Sequence, residues 1–404
     1  MTDAIVIEGA RVVLPDRVET VSVRIEAGRI AALDGAREGA RVIDARGLLL
    51  APAFVDIHGD AFERQIMPRP GVALPVAGAM LETDGQLAAN GIATAYHALT
   101  LSWEPGLRSV ATGWEVLGAL EALGPRLRVE NRIQLRWETF CPEAIDLIAH
   151  ALGAGPTPSV AFNDHTSLAL LDPAMPMQDR PFERDPAFPL TDMSAPSFAQ
   201  RMEARARRSH MSTGEYVALL ARVWERRTDV PADIARVAGL ARAAGAPMLS
   251  HDDSQPETRR FFRDLGARTA EFPMHERVLH EARVAGDLIV FGAPNAMRGG
   301  SHLGSPGAGA MVARGLCDIL ASDYYYPAML GAVARLLADG VAPLHLLWRL
   351  VAENPAQAMG LADRGRIAPG LRADLVLIDW PEGDVPAVRR TIVADRDGIG
   401  PGGP

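Results

Sequence analysis

Imidazole and carboxylate side chains stand at the ends of five short apolar runs in this 404-residue chain. His58 and Asp60 follow the run APAFVDIH, and Glu138 closes RIQLRWET. Asp164 and His165 end PSVAFNDH; His251, Asp252 and Asp253 end APMLSHDD; Asp323 ends CDILASDY. Nitrogen and carboxylate ligands without thiolate suit zinc, manganese or iron. A divalent ion held by such a set lowers the pKa of water enough to give hydroxide near neutral pH. Taken singly, a histidine at a strand end is most often a hydrogen-bonded rim residue, and His97 in GIATAYHA stays on that reading. The recurrence of ligand types at separate strand ends carries the argument. The sequence also contains no lysine, so all 41 basic residues are arginine. A Schiff base, a lysine general base and a carboxylated-lysine metal bridge are thereby excluded. Cys141 and Cys317 lack metal-ligand spacing and read as small buried apolar residues.

These residues can meet only if the elements beneath them converge. Eight near-continuous apolar runs recur: the five above with GIATAYHA, ARTAEF and DLIVFGAP. Such runs mark parallel strands covered on both faces by helices. Helical patterns lie between them, including GAMLETDGQLAAN, ATGWEVLGALEAL, DIARVAGLARAAG and PAMLGAVARLLADG. Eight strand–helix units predict a closed (β/α)8 TIM-type barrel, in which all C-terminal strand ends share one rim. Residues 166–246 are too long for one connection, so a loop with extra helices is expected over the site, a candidate lid. Residues 1–51 read as short strands bounded by Gly, Asp and Pro, and GRIAPGLRADLVLIDW has the same texture. The expected organisation is a small composite β domain from 1–51 and 360–404 beside a barrel of 52–359.

Composition narrows the function class. A net charge of −9 gives no support to nucleic-acid binding. No apolar run approaches the roughly 18–20 residues of a membrane span. The start MTDAIVIEGA carries an acidic residue where a signal peptide carries basic ones, and two cysteines make no disulfide framework. A cytoplasmic enzyme acting on a small molecule is expected. The apolar stretch LDPAMPM fits a lid or a homo-oligomer interface.

The segment APAFVDIHGD resembles the P-G-F-I-D-x-H-x-H opening of the amidohydrolase superfamily, with Asp60 in place of the second histidine. The closing ENPAQAMGLADRGRIAPGLRADLVLID resembles it too, so the likeness spans residues 5–380. Within the superfamily the chain is similar to the phosphonate-utilisation branch of the carbon–phosphorus lyase pathway, through DIHGDAFERQIMPRPGV, LSHDD, AEFP, GAPNAMRGGSHLGS and ILASDYYYP. The resemblance implies one or two divalent ions, zinc in the first instance, with His58, Asp60, His165 and His251 as ligands. It gives Glu138 the bridging position, which favours two ions, and makes Asp323 both ligand and general base. Asp164, Asp252 and Asp253 would stand behind the ligands and orient them. The implied reaction is hydrolysis of α-D-ribose 1-methylphosphonate 5-triphosphate to the 5-phosphate and pyrophosphate. Its phosphates would meet Arg64, Arg69 and the loop Arg298, Gly299, Gly300, Ser301 and His302. Two segments differ from that branch where a sugar or phosphate would be read. DHTSLALLDPAMP replaces a Pro-Gly-Gln-Arg-type run, and GSHLGS, with Leu303 and Ser305, replaces GSHSGN. A divergent amidohydrolase cleaving an N-acyl, cyclic amide or lactone bond is the alternative. An inactive relative serving as an assembly surface is a third reading, and the complete ligand set counts against it.

Overall fold

A computed structural model describes residues 4–301 and 304–394 of the chain. Seven short strands come first: β1 Ala4–Glu8, β2 Arg11–Val13, β3 Val18–Thr20, β4 Val23–Glu26, β5 Arg29–Leu33, β6 Ala40–Asp44 and β7 Leu48–Pro52. The barrel strands follow: β8 Phe54–Gly59, β9 Ile92–Leu101, β10 Glu130–Glu138, β11 Ser159–Asn163, β12 Met248–His251, β13 Thr269–Glu271, β14 Leu288–Gly292 and β15 Ile319–Ala321. Strands β16 Leu375–Asp379 and β17 Ala387–Ile392 end the described chain.

Strands β8 to β15 form one sheet in sequence order, and every neighbouring pair is parallel. Each of the eight apolar runs thus supplies one strand. The first and last strands meet through a single bridge. The Asp323 N–H donates to the His58 carbonyl and the Asp60 N–H to the Asp323 carbonyl, both at 2.9 Å. Val55, Ile57, Tyr96, Ala161, Leu249, Val290, Ile319 and Ala321 form one buried cluster of side chains from these strands. Helices that follow the wall strands cover the wall, among them Val76–Ala89, Val110–Leu123, Val230–Ala243 and Ala328–Ala338.

The long connection between β11 and β12 carries helices His165–Leu170, Pro196–Arg208 and Thr213–Trp224 before the covering helix. It has its own apolar cluster of Leu170, Phe198, Met202, Tyr216 and Leu220. A capping box of Ser212 and Glu215 starts the third of these helices. At the chain ends, β16 pairs antiparallel with β7, Leu375 facing Pro52, and β17 flanks β16. Ile5, Ile7, Val12 and Leu50 pack in one cluster with Ile367, Leu375, Leu377 and Ile392. No helix of the described residues is long and apolar enough to cross a membrane.

Candidate metal and active site

The bridge that closes the barrel positions the first candidate ligands. Asp56, fully buried, accepts from the Ser322 N–H at 2.9 Å and from its hydroxyl at 2.5 Å, tying β8 to β15. Gly59 is required here, because a Cβ would stand 2.8 Å from Asp56 Oδ2 and 2.9 Å from Ser322 Oγ. His58 and Asp60 therefore face Asp323 across the seam.

Three overlapping groups bring ligand atoms within 4.8 Å of one another: His58–Asp60–Asp323, His58–His251–Glu271 and His165–His251–Asp252. Five of the six expected ligands, His58, Asp60, His165, His251 and Asp323, thus share one continuous centre. His58 Nδ1 lies 3.1 Å from Glu271 Oε1, and Gln134 Nε2 donates to the same oxygen at 2.8 Å. Nε2 of His58, Nε2 of His251 and Oε2 of Glu271 are buried without a hydrogen-bond partner among the described residues. Buried polar atoms are ordinarily satisfied, so this donor set fits a divalent cation. Burial holds His251 down at about 4, which keeps the ring neutral as a ligand must be. Burial and the neighbouring Asp60 carboxylate push Asp323 up to about 7.

The remaining candidates are placed differently. Glu138 is buried, but its oxygens accept from the His165 N–H at 3.1 Å, the Thr166 N–H at 3.0 Å and the Thr166 hydroxyl at 2.9 Å. Its Oε2 lies 3.5 Å from His165 Nδ1, and it enters none of the three groups. Asp252 enters the third group, with Oδ2 at 3.0 Å from His251 Nδ1 and 3.7 Å from His165 Nε2. Asp253 accepts from the Ser250 hydroxyl at 2.5 Å and faces Arg259 at 3.6 Å inside the barrel wall. Asp164 caps the helix starting at His165, accepting from the Ser167 N–H at 2.7 Å, and pairs with Arg184 at 2.9 Å.

A cavity of about 390 Å³ opens over the centre, and Arg298 and Ser301 line it with Asn295 and Tyr324. Gly299 adopts φ +83° where the helix ending at Arg298 stops, and the Gly300 N–H returns to the Asn295 carbonyl at 3.0 Å. His302 and Leu303 lie outside the described residues. Arg64 and Arg69 are not among the residues that line this cavity. Arg64 donates to the Tyr324 carbonyl at 2.6 Å, and Arg69 sits exposed in a turn paired with Val72. His97 faces the helical layer, with Nε2 2.7 Å from Asn131 Oδ1 and its ring edge-on to Phe62.

Two residues at the centre escaped the sequence reading. Glu271 ends the strand Thr269–Glu271 and lies in AEFP, one of the segments that carry the resemblance; those were its signals. Arg136, two residues before Glu138, puts Nη1 3.5 Å from Asp60 Oδ2 and Nη2 3.5 Å from His165 Nε2. A charged residue inside an apolar strand run was the available clue.

Sequence comparisons agree with this geometry. A model of the amidohydrolase family matches residues 199–396. The α-D-ribose 1-methylphosphonate 5-triphosphate diphosphatase of Escherichia coli (strain K12) is 30% identical over 92% of this chain and 94% of that protein. The chain belongs to the amidohydrolase superfamily. This amidohydrolase is a metal-dependent hydrolase. A shorter match joins it to the adenine deaminase of Methylobacterium sp. (strain 4-46), 48% identical over 17% of this chain and 12% of that one. Among solved structures, phenylurea hydrolase B superposes with a TM-score of 0.61 at 15% identity, over 98% of this amidohydrolase and 97% of that chain. Molinate hydrolase does so with a TM-score of 0.57 at 14% identity, over 98% and 94%. At such identities these two speak for the shared fold alone.

Proposed function

We propose that this amidohydrolase hydrolyses α-D-ribose 1-methylphosphonate 5-triphosphate to the 5-phosphate and pyrophosphate. The observation that carries the reading is the near full-length similarity to the Escherichia coli diphosphatase. His58, Asp60, His165, His251 and Asp323 are assigned as ligands of one or two ions, taken to be zinc, with Glu138 in the bridging position and Glu271 orienting His58. When bound, the ion polarises a phosphoryl oxygen and makes water a competent nucleophile. Asp323 accepts the proton as the water oxygen forms its bond to phosphorus. The P–O–P bond breaks, its electron pair stays on the departing pyrophosphate oxygen, and Asp323 can return the proton there. Arg298 and Ser301 bind an anionic group of the substrate, since a guanidinium grips such oxygens in a planar fork and stays charged. The division into a composite unit of 1–51 and 360–404 and a barrel of 52–359 is part of the same proposal.

One observation favours a second reading. Leu168, Met177, Phe272, Met274 and Phe291 give the same cavity an apolar wall, which suits an N-acyl or cyclic amide substrate. Incubation of zinc-loaded protein with the ribose triphosphate, followed by phosphorus NMR, tests the choice. Release of pyrophosphate supports the diphosphatase; an inert triphosphate with turnover of N-acyl compounds overturns it.

A further inference from the structure

A second cavity of about 250 Å³ adjoins the first, and Asp60, Arg136 and His165 line both. Arg108, Arg205 and Arg208 also line it. Arg205 and Arg208 come from the helix Pro196–Arg208 in the long connection between β11 and β12. Arg108 pairs with Glu63 at 2.8 Å, and Arg208 with Glu104 at 2.8 Å, while Arg205 approaches the same Glu104 at 3.7 Å. With Arg136, four guanidinium groups face the lining carboxylates Asp60, Glu104 and Glu138; Asp60 belongs to the candidate metal centre, and Glu104 also accepts from the buried Tyr216 hydroxyl. The remaining observation concerns Thr100. It lines this cavity, is 4% exposed, and its hydroxyl has no hydrogen-bond partner among the described residues. A buried hydroxyl left unsatisfied beside clustered arginines is the arrangement an oxyanion would complete.

We infer that this second chamber binds the terminal diphosphate of the substrate and then the pyrophosphate released from it. The inference rests on the triphosphate reading above and deepens it. The substrate lies across both chambers, its scissile bond at the wall that Asp60, Arg136 and His165 share. The sugar-phosphonate end takes the first cavity, where Arg298 stands beside apolar walls. The inserted helices act as one side of a diphosphate clamp rather than only as a cover. Arg205→Gln and Arg208→Gln each remove a charged donor, and such bonds are strong enough that loss of one weakens binding by about tenfold or more.

Isothermal titration of inorganic pyrophosphate into the metal-loaded protein tests this, alongside KM and kcat for the ribose triphosphate. Pyrophosphate affinity should fall about tenfold or more in Arg205→Gln and Arg208→Gln, with KM raised more than kcat is lowered. Thr100→Val, which leaves the Arg208–Glu104 pair intact, should weaken pyrophosphate several-fold and covers the case in which an arginine variant fails to fold. Wild-type pyrophosphate affinity in all folded variants, in a protein that hydrolyses the triphosphate, overturns the chamber and leaves the reaction standing. Weakened pyrophosphate binding in the variants of a protein inert toward the triphosphate overturns the reaction while upholding the diphosphate site.

Discussion

Replacing Glu271 by glutamine changes one oxygen to an amide and removes one buried charge. In the native site the carboxylate lies 3.1 Å from His58 Nδ1 and accepts from Gln134 Nε2 at 2.8 Å. It therefore fixes the proton on Nδ1 and leaves the Nε2 lone pair of His58 facing the centre. A glutamine that keeps this oxygen in place still accepts from Gln134 and His58, but it carries no negative charge and turns its NH2 group to where Oε2 now lies 4.0 Å from His251 Nε2. Loss of a carboxylate behind a metal-bound histidine typically costs 10–100-fold in metal affinity, or about 1.4–2.7 kcal/mol. Fully buried Glu271 belongs at the upper end of that range, since water cannot replace it. Chelator competition followed by metal analysis gives the affinity. The metal-dependent rise in melting temperature gives an independent value through ligand linkage. An unchanged zinc affinity in Glu271→Gln would refute the orienting role. A loss beyond roughly a thousandfold would exceed what orientation supplies and make Glu271 a direct ligand.

Asp323→Asn should keep most of its metal yet lose about 10²–10⁴-fold in kcat, the usual worth of a positioned general base; metal analysis beside steady-state kinetics checks it, and near-native turnover removes Asp323 from proton transfer. Glu138→Gln separates two roles: as a bridge it should lower the bound metal-to-protein ratio, whereas as a cap for the His165 and Thr166 N–H groups alone it should leave that ratio intact and lower Tm. Burial, partly offset by Asn131, pushes His97 from 6.5 down to about 4, so between those values the unfolded chain binds a proton that the folded chain does not. The His97 contribution is complete above about pH 6.5, is lost as pH falls toward 4, and amounts to about 3 kcal/mol in all. Urea unfolding of His97→Gln should show a pH dependence between 7 and 5 shallower by about 2 kcal/mol; parallel curves would show that His97 is not buried in its neutral form.

The barrel was legible because each wall strand is buried on both faces and reads as an unbroken apolar run. Even the three-residue strands β13 and β15 were flagged by ARTAEF and CDILASDY. That His58, Asp60, His165, His251 and Asp323 come together was legible because strand ends converge by topology, without knowledge of any rotamer. Side-chain direction was not legible. Arg64 and Arg69 occupy a suggestive segment, but sequence cannot show that one turns to the Tyr324 carbonyl and the other lies in an exposed turn. The resemblance gave Glu138 the bridging position; that its oxygens also meet the His165 and Thr166 N–H groups depends on the helix His165–Leu170, which the sequence does not show. Arg205 and Arg208 lie in RMEARARRSH, which reads as a solvated helix face; only the packing of Tyr216 and Glu104 turns them inward.

The seam between β8 and β15 has a consequence for how the molecule comes into being. The clamp joining Asp56 to Ser322 spans 266 residues of chain. Contacts of such sequence separation form late, after local units have settled. The chain must therefore wrap almost its whole wall before His58 can face Asp323. Partly synthesised or partly folded forms carry the hydrophobic staves of the barrel without a working centre. Any cation gripped across those two ends acts as a hoop, favouring the closed wall over one sprung open at this joint.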